Sequence, residues 1–355
     1  MSTHLSPITL QDRLVGPGQP PLIVAELSGN HQGCLDTALA VVDAVADAGA
    51  HALKLQTYTA DTMTLNVDRP EFRIDNPHSP WHGQHLYDLY QQAATPWAWH
   101  EAIFQRCAER GMLGFSSPFD ATAVDFLRTL DPPCYKIASF ENTDIPLIQR
   151  VAATGKPLIL STGMATLAEL HTAVTAARTA GCRELILLKC TSAYPAPVAE
   201  ANLATLTDLQ QQFACPVGLS DHTLGIEVAA AAVALGACLI EKHVTLSRAA
   251  GGVDAGFSLE PSELAELVAV TTQVQQAIGT VRYGPTPRET PGLLHRRSIY
   301  VVSAMRAGDE LTPATVRVIR PAYGLPPSDY PAILGRRVRV DLPRGTPLQW
   351  SHIEY

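Results

Sequence analysis

Residues 216–246 read PVGLSDHTLGIEVAAAAVALGACLIEKHVTL. Two short apolar runs, each closing on polar residues and a histidine, flank one helical segment, which is the pattern of a strand, a helix and a second strand. His222 and His243 therefore lie one strand–helix unit apart at corresponding strand ends. Working outward, the same alternation of β-branched runs and helical segments occurs eight times between residues 21 and 280. The candidate strands are PLIVAEL, HALKLQ, MLGFSSP, CYKIAS, PLILSTG, LILLKCTS, PVGLSDH and CLIEKHVTL, all apolar first and polar last. Eight such units predict an α/β fold, a parallel (β/α)8 barrel, whose active site gathers at the C-terminal strand ends.

The chain of 355 residues accommodates that barrel over 1–283, a linker over 284–294 that takes in most of the Pro- and Gly-rich YGPTPRETPG, and a small β-rich module over 295–355. Between residues 57 and 96 a long excursion containing Trp81, Tyr87 and Tyr90 separates the second strand from its helix, and reads as a structureless partial lid. In CLDTALAVVDAVADAGA, Asp36 is the expected helix cap and Gly49 the terminator.

Composition excludes several classes of function. The net charge of −8 argues against nucleic-acid binding, and no apolar run approaches the ~18 residues of a membrane span. The N-terminus lacks the basic start and apolar stretch of a signal peptide, so a cytoplasmic location is expected. Seven scattered cysteines suggest neither a disulfide framework nor structural zinc. Nine arginines against five acids after residue 290 make the tail module basic on an acidic body, a distribution suited to docking by charge.

Two imidazoles at one barrel mouth suit a divalent ion, leaving positions open for water and a substrate oxygen. Either histidine alone reads more readily as a core residue with satisfied hydrogen bonds; the pair favours metal. Glu26, Lys54, Gln56, Lys136, Ser139, Glu141, Ser161, Thr162, Ser192, Ser220 and Asp221 complete the strand ends. Lys54 and Lys136 sit inside apolar strands where an unpaired ammonium is costly, so with the hydroxyls they point to an anionic ligand. Schiff-base chemistry is the covalent alternative for these lysines. Alternation turns Lys242 away from the face of His243, which predicts a structural ion pair. Glu26, Glu141 and Asp254 are the candidate acid–base groups, and Asp221 is a candidate to orient its neighbour His222.

The segments AELSGNH, ALKLQTY, KIASFE, LSTGMA, KCTSAYP, GLSDHT, EKHVTL and GVDAGFSLEP occur in the order found in the sialic acid synthase family, which nearly the whole chain resembles. The tail resembles the antifreeze-like (SAF) domain of those enzymes. Segments KLQTYTADTMTL, ATPWAWHEAIF and SPFDATAVDFL are most similar to the pseudaminic acid synthase branch. The resemblance implies condensation of phosphoenolpyruvate with an amino-sugar aldehyde, here 2,4-diacetamido-2,4,6-trideoxy-L-altrose, with His222 and His243 holding Mn2+ or Mg2+. It implies Lys54, Lys136, Ser139, Ser161 and Ser220 around phosphoenolpyruvate, and Glu26, Tyr194 and Asp254 facing the sugar or metal-bound water. Gln56 would support the same wall, and Glu141 would orient or deprotonate the attacking water. Ser192 stands where neuraminate synthases commonly carry Asn, opening space near the sugar. The resemblance also implies a domain-swapped homodimer in which Arg320 of IRPAYGL reaches the partner's sugar. Alternatives are N-acetylneuraminate or legionaminate synthase, a metal-dependent aldolase that does not use phosphoenolpyruvate, and a noncatalytic carbohydrate- or ice-binding protein.

Overall fold

The computed structural model describes residues 5–354, which fall into two compact units dividing between Gly279 and Thr280. In the first, eight parallel strands close into a barrel: β3 (Leu22–Glu26), β4 (Ala52–Thr57), β5 (Leu113–Pro118), β6 (Tyr135–Ile137), β7 (Leu158–Ser161), β8 (Leu185–Cys190), β9 (Val217–Asp221) and β10 (Leu239–His243), with β10 pairing back onto β3. Every strand expected from the apolar runs is present. Val24, Phe115, Ile159 and Leu188 fill the barrel interior, while Ile23, Leu53, Ile137 and Leu187 pack outward against the helices.

A hairpin ahead of the barrel was not legible in the sequence. Its strands, β1 (Ile8–Leu10) and β2 (Arg13–Val15), are three residues each, too short to display a period. Ile8, Leu10 and Val15 join the cluster formed by Leu22, Leu113 and Leu239 at the strand starts, so the hairpin seals the barrel's N-terminal end. Asp36 lies in the first turn of helix Leu35–Asp47 rather than at its cap, which is Cys34; there its charge still meets the positive helix end. Gly49, at φ +83°, reverses the chain after that helix as expected.

The excursion over 57–96 is not structureless. It contains helices Ala60–Met63 and Leu86–Ala93 and a turn of 3-10 helix at Pro70–Phe72. Thr59 caps the first of these in a reciprocal box with Thr62.

In the second unit, β11 (Ser298–Val301) and β12 (Val316–Ile319) form one antiparallel pair. Isolated bridges such as Met305↔Leu342 and Val338↔Ile353 supply the remaining pairing, in a segment where Pro and Gly interrupt longer ladders. Ile299, Val301, Leu311, Val338 and Leu348 make its own apolar core. Among the described residues, no helix is long and apolar enough to cross a membrane.

Candidate active site

Strand register brings the polar strand ends into one ring. His243 pairs with Glu26 and Glu26 with Lys54, while Glu241 lies opposite Ser220 and Ser220 opposite Cys190. All of these are buried. Lys54 Nζ lies 2.6 Å from Glu26 Oε2 and 3.8 Å from Glu241 Oε1, and donates to Ser117 Oγ at 3.3 Å. Lys136 Nζ donates to Ser161 Oγ at 2.7 Å and to the Ile137 carbonyl, with Glu241 Oε1 4.0 Å away. Ser220 Oγ donates to the same Glu241 oxygen at 3.1 Å. Gln56 bridges Glu26 Oε1 and Ser28 Oγ, fixing the orientation of that carboxylate.

The two ammoniums differ in their electrostatics. Burial opposes the charge on Lys54, but Glu241 and Glu26 outweigh it and hold its pKa above the ordinary value. Burial dominates at Lys136, whose nearest carboxylate is more distant, and with the repulsion of Lys54 it pulls that pKa down. Burial also works against the charge on Glu241, yet Lys136 and Lys54 keep its pKa below the usual carboxylate range. Lys136 is therefore the less fully compensated of the two ammoniums, and its surroundings could accept an anionic ligand.

His222 and His243 stand side by side, ring centroids 5.3 Å apart. His222 Nδ1 lies 3.1 Å from the Thr191 carbonyl, a bond that places the proton on Nδ1 and leaves Nε2 a free lone pair. His243 Nδ1 makes no hydrogen bond, although Asp254 Oδ2 is 3.5 Å away. Two imidazoles sharing an ion have centroids up to about 6 Å apart, given metal–nitrogen distances near 2 Å, so these donors fit one divalent metal. No cluster of three or more His, Cys, Asp or Glu surrounds a common point among the described residues, so water or substrate would complete the shell. Tyr194 packs on His222 at 4.5 Å and Phe257 on His243 at 5.0 Å; Trp81 covers both aromatics and donates from Nε1 to the Val253 carbonyl. The excursion is thus fastened to the loop after the last barrel strand. Asn30 secures that loop from within, donating to the Val244 carbonyl and accepting from the Asp254 N–H.

Ser139 and Ser192 converge on Gly163. A Cβ there would meet Ser139 Oγ at 2.6 Å and Ser192 Oγ closer still, so glycine is what lets the two hydroxyls approach. Glu141, in the turn after β6, has a buried Oε2 without a partner, and burial lifts its pKa to about 7. A carboxyl poised near neutrality can take or give a proton.

Thirteen of the fourteen expected site residues thus line one mouth, and Arg320 lies exposed in the second unit. Asp221 does not touch the His222 ring; it faces outward and accepts from Lys242 Nζ at 2.8 Å, the structural pair expected for that lysine. Sequence reasoning missed Glu241, which the outward turn of Lys242 implies must face inward. It also missed Ser117 and Phe257; Trp81 was placed in the expected lid, but its partner Val253 is 172 residues away and nothing local signals that contact.

The NeuB family model matches residues 41–283 and the SAF domain model residues 296–354. The chain belongs to the NeuB family. It is an enzyme, a nonulosonic acid synthase. Pseudaminic acid synthase of Campylobacter jejuni is 39% identical to this NeuB-family chain over 93% of its length and 95% of the relative's. N,N'-diacetyllegionaminic acid synthase of Legionella pneumophila is 35% identical over 96% of each chain. The crystal structure of N-acetylneuraminic acid synthetase from Leptospira borgpetersenii, solved with citrate, superposes with a TM-score of 0.72 at 33% identity, covering 81% of this chain and 95% of that one.

Proposed function

We propose that this enzyme condenses phosphoenolpyruvate with 2,4-diacetamido-2,4,6-trideoxy-L-altrose to give pseudaminic acid and phosphate. The observation that carries the reaction is the pair of buried ammoniums, Lys54 and Lys136, sharing one carboxylate beside two adjacent imidazoles. A Schiff-base route is disfavoured for Lys54, whose raised pKa keeps the amine protonated. The greater identity to the pseudaminic acid synthase supports the choice of sugar over the legionaminic branch.

In this reading Lys54 and Lys136, with Ser139, Ser161 and Ser220, bind the phosphate and carboxylate of phosphoenolpyruvate. His222 and His243 hold Mn2+ or Mg2+, which when bound supplies Lewis-acid polarisation of the aldehyde. Glu26, oriented by Gln56, faces the sugar together with Tyr194, Asp254 and Ser192. Carbon 3 of phosphoenolpyruvate uses its carbon–carbon double-bond pair to form its bond to the aldehyde carbon, whose oxygen takes a proton from solvent and becomes a hydroxyl. The positive charge left at carbon 2 is trapped by water, and Glu141 receives the water proton at its unpartnered Oε2. The tetrahedral product then breaks its carbon–oxygen bond to phosphate, which leaves with the proton of the new carbon-2 hydroxyl, and becomes the 2-keto acid.

Exposed apolar residues follow six of the barrel strands around this polar mouth: Leu65, Phe140, Met164, Val198, Leu224 and Leu246. A rim of that kind supports a cover, and we assign it to the basic C-terminal module of the partner subunit in a swapped homodimer, bringing Arg320 to the sugar's N-acetyl carbonyl. Supply of phosphoenolpyruvate places the reaction in the cytoplasm.

The test is phosphate release from phosphoenolpyruvate with Mn2+, offering the altrose derivative, the legionaminate precursor and N-acetylmannosamine separately, with product masses recorded. Release with the first sugar alone is expected. Release only with another moves the enzyme to that branch, and turnover that survives chelation and His222→Ala removes the metal from the reading.

A further inference from the structure

On the outer face of the strands carrying the two histidines lies a second, fully buried construction. The register of β10 on β9 sets Lys242 opposite Asp221, the residues immediately preceding His243 and His222. Lys242 Nζ donates to Asp221 Oδ2 at 2.8 Å and to the Thr223 carbonyl at 2.7 Å. Asp221 Oδ1 accepts from the Thr223 N–H at 3.0 Å and from Thr223 Oγ1 at 2.8 Å. Asp221, Thr223 and Lys242 are all buried. One cation from β10 thus grips the chain on both sides of His222, and none of its contacts reaches the mouth.

We infer that Lys242 and Asp221 are positioning residues that set the separation and relative tilt of the two metal-holding imidazoles. His222 follows the last residue of β9, beyond the β9–β10 ladder; its carbonyl accepts from the Ala196 N–H, and its ring is held by the Thr191 carbonyl and by packing of Tyr194. The Lys242 bond to the Thr223 carbonyl extends the β9–β10 connection two residues beyond the ladder. This closes residues 221–223 against β10 at the level of His243. A chelating pair needs both donors fixed before the ion arrives, because mobility in either lowers affinity. The inference rests on the proposed metal role of the two histidines.

The test is Mn2+ affinity by titration calorimetry on the full chain, with circular dichroism and thermal melting run on the same samples. Lys242→Met with Asp221→Asn together removes the ion pair without leaving a buried charge unpaired, a change that folds tolerate. A rise in the Mn2+ Kd of about tenfold is expected, with a fall in kcat and little change in the KM of phosphoenolpyruvate. Thr223→Val, which keeps the shape and removes only the hydroxyl bond to Asp221, is expected to weaken Mn2+ binding by a smaller factor and serves if the double variant does not fold. A folded variant of either kind with the wild-type Mn2+ Kd overturns the inference. Absence of Mn2+ binding by the wild type overturns the metal reading and this inference with it.

Discussion

Glu241→Gln isolates the electrostatics of the ring. The substitution keeps shape and size but removes the charge that two buried ammoniums share, at 3.8 Å from Lys54 and 4.0 Å from Lys136. Breaking one side of a buried ion pair costs about 3–5 kcal/mol. Lys54 retains Glu26 at 2.6 Å, so the loss falls mainly on Lys136 and the lower end applies, about 3 kcal/mol. A unit of this size loses about 2–4 °C of Tm per kcal/mol, which gives a fall of about 6–12 °C near neutral pH. The pH dependence follows from the direction of the shift. The folded pKa of Glu241 is depressed below the ordinary 4.5, so its stabilisation is present above that value and lost as pH falls through the depressed one. Wild type and variant should therefore keep a constant gap from about pH 6 to 8 and converge in acid. The assay is thermal melting followed by circular dichroism, without phosphate or phosphoenolpyruvate. A gap under about 2 °C at neutral pH would refute the reasoning, since it would mean Glu241 carries no net interaction with the lysines.

Three further outcomes are expected. The kcat/KM for the sugar at saturating phosphoenolpyruvate should rise through an apparent pKa of about 7, the value to which burial lifts Glu141. Glu141→Gln should abolish that limb and lower kcat about a hundredfold; an unchanged profile would assign the limb elsewhere. Because that pKa is raised, any stability the protonated carboxyl contributes is present below 4.5 and lost as pH rises through about 7. Gly163→Ala drives a methyl into Ser139 and Ser192 and should raise the KM of phosphoenolpyruvate with a stability loss of about 1–3 kcal/mol; a phosphoenolpyruvate KM equal to wild type would remove the Ser139 hydroxyl from its binding site. Arg320→Ala should raise the sugar's KM about tenfold and leave that of phosphoenolpyruvate nearly unchanged, as loss of one charged hydrogen bond predicts. Equal effects on both would count against Arg320 reaching the sugar.

Eight apolar runs ending in polar residues were sufficient to predict the barrel, because strand period and strand-end chemistry are local properties of the chain. The same locality exposed the histidine pair, the two lysines buried in apolar strands and the outward turn of Lys242. Three-residue strands carry no period, so the hairpin over residues 8–15 was invisible until its side chains met the barrel interior. Glu241 was half legible: alternation pointed it inward, but only closure of β10 onto β3 brought Lys54 and Lys136 to one carboxylate. Trp81 over Tyr194 and Phe257, the Gly163 cradle and the Asp221–Lys242 clamp depend on contacts between distant segments. Sequence determined which side chains each strand end would offer; tertiary structure decided which of them meet, because register and loop docking are set by packing across the whole barrel.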